Sequence, residues 1–194
     1  MKRCWGGEVQ SISVLVAISV NQEGYREILG VAEGSREDSE SWRNFFRYLK
    51  SRGLKKINLL FPDKSLELVE TFWEFYPDAK WQRCVVHFFY RNVLNAVPKG
   101  KVKEVSRMQK AIHAQEDKDA ARQKTSSITV KLRKERPGNA AQILESGIEE
   151  TLPYYDFPSE HWRNIRTNNP LERLNREIRR RTNVVGSFPD GHSP

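Results

Sequence analysis

Apolar residues alternate with polar or small ones from residue 9 to residue 20, and this pattern constrains the fold more than any other feature. A period of two puts successive side chains on opposite faces of a strand, so the segment is predicted to be a half-buried strand. Turn-forming residues follow at 21–24, and residues 25–32 are predicted to form the second strand of an antiparallel hairpin. One face of the first strand carries Ile12, Val14, Val16, Ile18 and Val20.

Helices and strands are predicted to alternate after the hairpin. Ser39 or Ser41 opens a helix that Gly53 ends, with apolar residues at helical spacing. The order becomes β-β-α-β-α-β-α, which is typical of an α/β fold with a mixed sheet. The apolar residues of the first helix are Trp42, Phe45, Phe46 and Leu49. Strands are predicted at 57–61 and 80–86, and the helix between them is expected to point Leu66, Val69, Phe72 and Trp73 inward. A further helix is predicted from about His87 to Val97.

The second half of the chain has no strand pattern. Residues 99–150 are rich in Lys, Arg, Glu, Ala and Gln, and predict two or three helices broken near Pro137-Gly138. Residues 151–169 are predicted to be an irregular aromatic stretch. Pro170 begins a strongly basic helix, and residues 183–194 are predicted to be loop.

Composition limits the partners and the compartment. The formal net charge is +8, which favours a polyanionic partner, either nucleic acid or an anionic membrane surface. Two cysteines, Cys4 and Cys84, are too few for a disulfide framework and indicate the reducing cytoplasm. Met1-Lys2-Arg3 before an apolar stretch imitates a signal peptide, but the alternating serines favour a strand. No stretch approaches the ~20 apolar residues of a membrane span, so no membrane-spanning segment is expected, and a membrane is not among the expected partners.

Asp63 follows the predicted strand at 57–61 and precedes a helix. Open α/β sheets bind ligands beyond the carboxyl ends of their strands, where a carboxylate can hold a hard divalent cation. Asp63 could equally cap the following helix by accepting its first amide hydrogens. Position alone leaves both interpretations open.

Glu172 lies in the most unusual segment of the chain, residues 166–181. It stands three residues after Asn169, so it is either a capping-box glutamate or a metal-holding acid. An apolar stripe is formed by Leu171, Leu174 and Ile178, and a neighbouring face carries Glu172, Asn175, Arg176 and Arg179. Capping does not explain the density of arginines, which suits phosphate binding or a solvated basic face. These arginines are Arg173, Arg176, Arg179, Arg180 and Arg181.

Cys84 and His87 form a Cys-x-x-His pair. Zinc requires about four ligands, and His113 and His161 are isolated in the sequence, so a structural zinc site is not expected. A nucleophilic Cys–His pair is also disfavoured, because such partners generally meet only in the fold. The pair's role stays open.

Several motifs together resemble the bacterial Mutator-type insertion-sequence transposases, over nearly the whole chain and in the same order. The two most specific are Trp81-Gln-Arg-Cys-Val-Val-His87 and Arg166-Thr-Asn-Asn-Pro-Leu-Glu-Arg-Leu-Asn175. The resemblance also rests on Trp5-Gly-Gly-Glu8, residues 21–34, His113-Ala-Gln-Glu116, Tyr154-Tyr-Asp-Phe157 and Val185-Gly-Ser-Phe-Pro-Asp-Gly191.

The resemblance implies a fold, a site and partners. The fold is an RNase H-like mixed sheet, with an all-helical insertion before the last catalytic Glu. Its parts are an α/β core at 1–98, the insertion at 99–165 and the basic helix region at 166–194. Asp63 matches the second Asp of an Asp-Asp-Glu set and Glu172 the Glu, which hold two Mg²⁺ or Mn²⁺ ions for DNA cleavage and strand transfer. Cys84 and His87 match a family signature.

The implied partners are DNA, as transposon ends and target, and further copies of the chain. Arg173 and Arg176 are the foremost candidates for phosphate contacts. The full set of expected DNA-binding residues is Arg166, Arg173, Asn175, Arg176, Arg179 and Arg180.

The chain also departs from the family pattern. The family's first Asp precedes Lys-Arg-x-Trp-Gly-Gly, and here the chain starts at Met1-Lys2-Arg3. We therefore expect a catalytic-domain fragment that lacks the first sheet strand and strand-transfer activity. The segment His87–Asn92 holds one extra aromatic residue, and Pro62 replaces a small polar one. The alternatives are a catalytically dead DNA-binding remnant and an unrelated basic α/β protein.

Overall fold

The computed structural model describes residues 2–5, 8–11, 13–34, 38–62, 66–135 and 139–185. Its contacts divide the chain into two units. The first unit contains residues 1–58, 62–79 and 168–194, and the second contains residues 59–61 and 80–167. The three-part division at residues 98 and 165 stays a prediction. No helix in the described ranges is long and apolar enough to cross a membrane.

The predicted hairpin is present in the first unit. Strands β3 (Ser13–Val20) and β4 (Arg26–Gly34) pair antiparallel. The Asn21 side chain accepts hydrogen bonds from the amides of Glu23 and Tyr25, which closes the turn. The strand predicted at 9–20 is divided, because its first residues belong to β2 (Glu8–Ser11), which pairs antiparallel with β1 (Lys2–Trp5).

The hairpin's buried face is the opposite of the one that the apolar pattern indicates. Leu15 is buried, with 2% of its surface exposed, whereas the valines and isoleucine predicted to share a face are only half-buried where described. Leu15 pairs with Ala32, and Ala17 pairs with Gly30. A Cβ on Gly30 would lie 2.9 Å from Tyr48 Cε1, so this glycine lets the following helix pack closely on the face of small residues.

Helix α1 (Ser39–Ser51) packs on that face and confirms the predicted helix. The helix begins at Ser39, one of the two predicted positions, and its cap is Asp38, which accepts a hydrogen bond from Ser41 N at 2.9 Å. The acidic side chain also complements the positive end of the helix dipole. Gly53 ends the helix at φ 100°, a conformation that favours glycine. The buried residues of α1 are Phe45, Phe46 and Leu49.

Helix α2 (Leu66–Phe75) packs against α1 through aromatic rings. Phe72 is fully buried and lies 5.7 Å from Phe46 between ring centroids. The prediction that Trp73 points inward was wrong, since 36% of its surface is exposed. The buried stripe instead follows Leu68, Phe72 and Tyr76 at steps of four residues, and Trp73 lies about 100° away from it.

The strands of the second unit are shorter than predicted. Strand β5 (Leu59–Leu60) pairs in parallel with β6 (Lys80–Trp81). The amide of Gln82 extends this pairing by donating to Leu60 O at 2.8 Å. The chain then turns into helix α3 (Val85–Phe88), which ends the extended stretch predicted to reach residue 86.

A helical segment follows from residue 85 to residue 96, in place of the uniform helix predicted from about His87. It continues from α3 through a π turn (Phe89–Val93) into a 3₁₀ turn (Leu94–Ala96). A π turn holds one more residue than an α turn, so it accommodates a single extra residue while the apolar side chains on both sides keep facing the core. Phe88, Phe89, Val93 and Leu94 are all buried. The extra aromatic residue indicated by the family resemblance falls in this widened segment.

Three helices confirm the helical prediction for residues 99–150. They are α4 (Val102–Ile112), α5 (Lys118–Glu135) and α6 (Ala140–Gly147), and the predicted break at Pro137-Gly138 lies outside the described residues. Their fully buried residues include Ile112, Leu132 and Leu144.

The aromatic stretch after residue 150 is more regular than predicted. Two 3₁₀ turns (Glu149–Thr151 and Pro153–Asp156) lead to helix α7 (Ser159–Ile165). Trp162 Nε1 donates to Phe157 O at 2.7 Å, and its ring lies 4.6 Å from Tyr155, so aromatic packing orders this segment. The sequence did not predict α7 because its polar and aromatic residues show no clear period.

Candidate functional site

Glu172 lies in the first turn of helix α8 (Asn169–Val185). Its amide donates to Asn168 O at 3.0 Å, which makes Asn168 the residue whose carbonyl accepts the first helical hydrogen bond. The cap is therefore one residue earlier than Asn169, and Glu172 is the fourth helical residue rather than the third. Because a capping-box glutamate occupies the third position, the geometry of α8 does not support that alternative for Glu172.

The same helix carries two groups of arginines that differ in their partners. Arg180 donates to both carboxylate oxygens of Glu177, at 2.9 and 2.7 Å, and Arg181 donates to one of them at 2.7 Å. These hydrogen bonds lower the pKa of Glu177 to about 2. The exposed Arg173, Arg176 and Arg179 form no salt bridge with any residue that the structure describes.

The spacing of these side chains places the unpaired arginines beside Glu172. Arg176 and Arg179 follow it by four and seven residues, which puts all three on one side of the helix. Asn175 is half-buried, and Arg173 is on the exposed side next to Arg176. The helix extends to Val185, so the loop predicted from residue 183 was wrong for residues 183–185; residues 186–194 lie outside the described ranges.

Arg166 has a different environment from the arginines of α8. It lies at the carboxyl end of α7 in the second unit, is half-buried, and donates from Nη1 to His113 O at 3.3 Å. Its carbonyl accepts a hydrogen bond from Val85 N at 3.3 Å. This residue therefore joins the segment before α8 to the start of α3.

Cys84 and His87 flank the start of α3. Cys84 is 2% exposed, and its carbonyl accepts a hydrogen bond from Phe88 N at 3.0 Å, as a helix-capping residue does. His87 is half-buried on the first turn of the same helix. The cysteine thus contributes its backbone to helix initiation and its side chain to the core.

Gln82 is a structural residue that the sequence analysis did not single out. Its side chain is fully buried, Nε2 donates to Ile165 O at 2.9 Å, and Oε1 accepts from Tyr154 N at 2.7 Å. Its amide is bonded to Leu60 O, so a single residue joins three separate segments of the second unit. The sequence signal that could have indicated this role is the position of polar Gln82 between two residues of low polarity, Trp81 and Cys84.

His113 completes the contacts among the family motifs of the second unit. Its Nδ1 lies 2.9 Å from Tyr154 Oη, and its carbonyl is the acceptor for Arg166. Burial, with a smaller contribution from the positive charge of Arg166, lowers the pKa of His113 to about 3. His113 is therefore neutral at physiological pH and has a packing role. The motifs at 81–87, 113–116, 154–157 and 166 meet in one network.

Comparison with known proteins agrees with this arrangement of motifs. The family model described as "Transposase, Mutator family" matches residues 3–194. The chain belongs to the Mutator family of transposases. It is 40% identical over 184 residues to the transposase for insertion sequence element IS1081 of Mycobacterium tuberculosis, which covers 95% of this chain and 44% of the relative.

Two further relatives show the same relationship to this Mutator-family chain. The transposase for insertion sequence element ISRM5 of Rhizobium meliloti is 36% identical, over 96% of the chain and 46% of the relative. The transposase for insertion sequence element IS256 in transposon Tn4001 of Staphylococcus aureus is 34% identical, over 94% of the chain and 46% of the relative. The chain thus spans less than half the length of these curated relatives.

The second carboxylate expected in the site, Asp63, lies outside the described residues. Within the described ranges, no three His, Cys, Asp or Glu side chains are grouped closely enough to hold a metal ion. Glu172 is therefore the only member of the expected acid pair whose position the structure gives, and the assignment of both residues to a metal site stays a prediction.

Proposed function

We propose that this chain contributes Asp63 and Glu172 to the metal-dependent catalytic centre of a DNA transposase with an RNase H-like fold. The observation that carries the proposal is the first turn of α8. Glu172 lies there one position beyond the place of a capping-box glutamate, and on the same helix are arginines that form no salt bridge with a described residue. Family membership supports a transposase role, and the reaction that we propose is cleavage and joining of DNA.

Carboxylate oxygens are the donors that Mg²⁺ and Mn²⁺ prefer, so Asp63 and Glu172 fit these ions chemically. When bound, such ions activate an attacking oxygen and stabilise the departing one. Glu172 is held on a helix of 17 residues, which gives the carboxylate a rigid support. The role that we assign to both acids is to hold the ions beside the phosphate that reacts.

Arg173, Arg176 and Arg179 would hold the DNA backbone beside these acids. A guanidinium offers planar, paired donors that match the oxygens of a phosphate, and none of these three groups is occupied by a carboxylate of the described residues. Arg180 also lies on this helix, but its Nε and Nη2 are already bonded to Glu177, whose negative charge opposes phosphate binding there. We therefore expect Arg173 and Arg176 to contribute more to DNA affinity than Arg180 does.

The test is the salt dependence of DNA binding, measured by fluorescence anisotropy with a labelled duplex. The Arg173→Gln/Arg176→Gln double variant is compared with Arg26→Gln/Arg91→Gln, which removes two exposed arginines that also form no salt bridge with a described residue. Each lost phosphate contact reduces the slope of log K against log salt by about 0.9. We expect a reduction of about 1.8 in the α8 variant and a much smaller one in the control.

Equal slopes in the two double variants would show that α8 holds no phosphate. The far-ultraviolet circular dichroism of each variant checks that the helices remain formed. All four substituted residues are exposed, so little change in the free energy of unfolding is expected.

A further inference from the structure

Helix α4 presents only cations at its exposed positions. Its three exposed residues are Lys103, Arg107 and Lys110, at steps of four and three residues, which places them on one face. Lys99 precedes Lys103 by four residues, is exposed in the 3₁₀ turn before the helix, and continues the line. These four residues are named the α4 stripe.

The stripe differs from the neighbouring helix in how its charges are satisfied. None of its four cations forms a salt bridge with a described residue. On α5, by contrast, four of the six cations are paired: Lys118 with Asp156, Arg122 with Asp119 and Glu149, Lys131 with Glu104 and Glu135, and Arg133 with Glu145.

Acidic groups near the stripe do not neutralise it. Glu104, the acid of α4 itself, accepts a hydrogen bond from Lys131 at 2.8 Å. Glu135 is bound by Lys101 at 2.9 Å and also by Lys131. Exposed Glu116 and Asp117 follow the carboxyl end of α4 and limit the stripe there. The line of positive charge therefore remains available to a partner.

Helix stability accounts for Lys110 in the last turn of α4, but it does not account for Lys99 and Lys103. The amino-terminal end of a helix carries the positive end of its dipole, where cations such as Lys99 and Lys103 are unfavourable. An arrangement with carboxylates at that end would stabilise α4 more. The charge therefore points to a ligand outside the chain.

We infer that the α4 stripe binds the phosphate backbone of a DNA duplex, as a second DNA-binding surface in addition to the arginines of α8. Lys103 and Lys110 are about 10.5 Å apart along the helix axis, and one DNA strand presents a phosphate about every 3.4 Å of its own axis. The stripe thus has the length to reach about three phosphates of one strand. This inference rests on the proposed function, since it takes DNA as the partner.

Contacts of this kind are independent of sequence. Lysine ammonium groups act as point charges toward phosphates and do not read base edges. The stripe belongs to the second unit and α8 to the first, so the two surfaces can be altered separately. We expect the stripe to hold DNA non-specifically.

The test compares two triple variants with the same change in charge. Lys103→Gln/Arg107→Gln/Lys110→Gln removes the three cations of the stripe that lie on α4 itself, and Arg26→Gln/Lys55→Gln/Lys56→Gln removes two exposed lysines and one exposed arginine from the first unit. Affinity for a duplex of arbitrary sequence is measured by anisotropy at several salt concentrations. We expect the stripe variant to lose about 2.7 from the salt slope, and the control much less. Equal losses would overturn the inference.

A charge-conserving variant separates binding from folding. Lys103→Arg/Arg107→Lys/Lys110→Arg keeps all three charges, and we expect it to retain the affinity and the salt slope of the unmodified chain. Loss of binding in this variant would mean that the stripe acts through packing, which contradicts the inference.

The outcome for the stripe is distinguishable from the outcome for α8. If Arg173→Gln/Arg176→Gln weakens binding while the stripe variant matches its control, the proposed function stands and the α4 inference fails. If neither surface affects binding, both fail. If the stripe alone matters, the inference stands and the phosphate role of α8 fails.

Discussion

Gln82 shows at the residue scale how the family motif around Cys84 and His87 is used. Its two amide atoms are bonded to backbone groups on either side of α7, while its own backbone extends the pairing of β5 with β6. Buried polar groups are costly unless they are paired, so this residue is more important to folding than its polarity suggests. The motif is therefore partly a structural one.

Replacing Gln82 by Ala is predicted to destabilise the protein strongly. The change leaves Ile165 O and Tyr154 N without their buried partner, at a cost of about 1–3 kcal/mol for each group. We expect the free energy of unfolding, measured by urea denaturation, to fall by roughly 2–6 kcal/mol. Gln123→Ala on the exposed side of α5 is the control and should change it by less than about 0.5 kcal/mol. Similar losses in both variants would contradict the role assigned to Gln82.

At two helix starts, the sequence pattern does not determine which residue is the cap. Asn169 and Asn168 are equally good caps by composition, and only the hydrogen bond from Glu172 N to Asn168 O selects one of them. That one-residue shift changes how Glu172 is interpreted. Ser39 and Asp38 pose the same problem at α1, where the carboxylate forms the cap.

At the element scale, the π turn at Phe89–Val93 determines which side chains of this helical segment are buried. It allows buried residues on both sides of the turn to face one core although they are not at α-helical spacing. Gly147, the last residue of α6, lies against this segment. A Cβ at that position would be 2.5 Å from Phe88 Cε2, so the close approach requires a glycine.

We predict that Gly147→Ala destabilises the second unit. The added methyl group meets a fully buried aromatic ring that has little room to move, and overpacking of this kind costs about 1–3 kcal/mol. Gly100→Ala is the matched control, because nothing lies within 4 Å of its added Cβ. Thermal unfolding followed by circular dichroism should show a lower Tm for Gly147→Ala alone. An unchanged Tm in both variants would refute the close packing of α6 on this segment.

Elements with strong periodicity were predicted well from the sequence, and most others were not. The hairpin, α1, α4, α6 and α8 follow regular apolar patterns, whereas α5, whose buried face includes Thr125 and Thr129, was predicted mainly from its composition. The buried face of the hairpin was missed because Gly30 and Ala32, which are small rather than strongly apolar, admit α1. Helix α7 was missed because its aromatic neighbours pack through long-range contacts that no local pattern reveals.

At the scale of the whole molecule, the family motifs and the net charge are both consistent with the proposed DNA partner. The motifs of the second unit form a connected network, and α8 of the first unit carries the expected acid and unpaired arginines. A net charge of +8 supports attraction to DNA, although charge alone does not identify a transposase. The identification of the family depends on the match over residues 3–194.

The central claim, that Glu172 holds a catalytic metal ion, is tested most directly by Mn²⁺ binding to the chain, measured by isothermal titration calorimetry. Glu172→Gln is compared with Glu160→Gln, since Glu160 is an exposed glutamate in the first turn of another helix, α7. We predict that the unmodified chain binds Mn²⁺, that Glu172→Gln weakens binding about tenfold or more, and that Glu160→Gln leaves it unchanged. Absence of binding to the unmodified chain, or equal affinity in Glu172→Gln, would contradict the account.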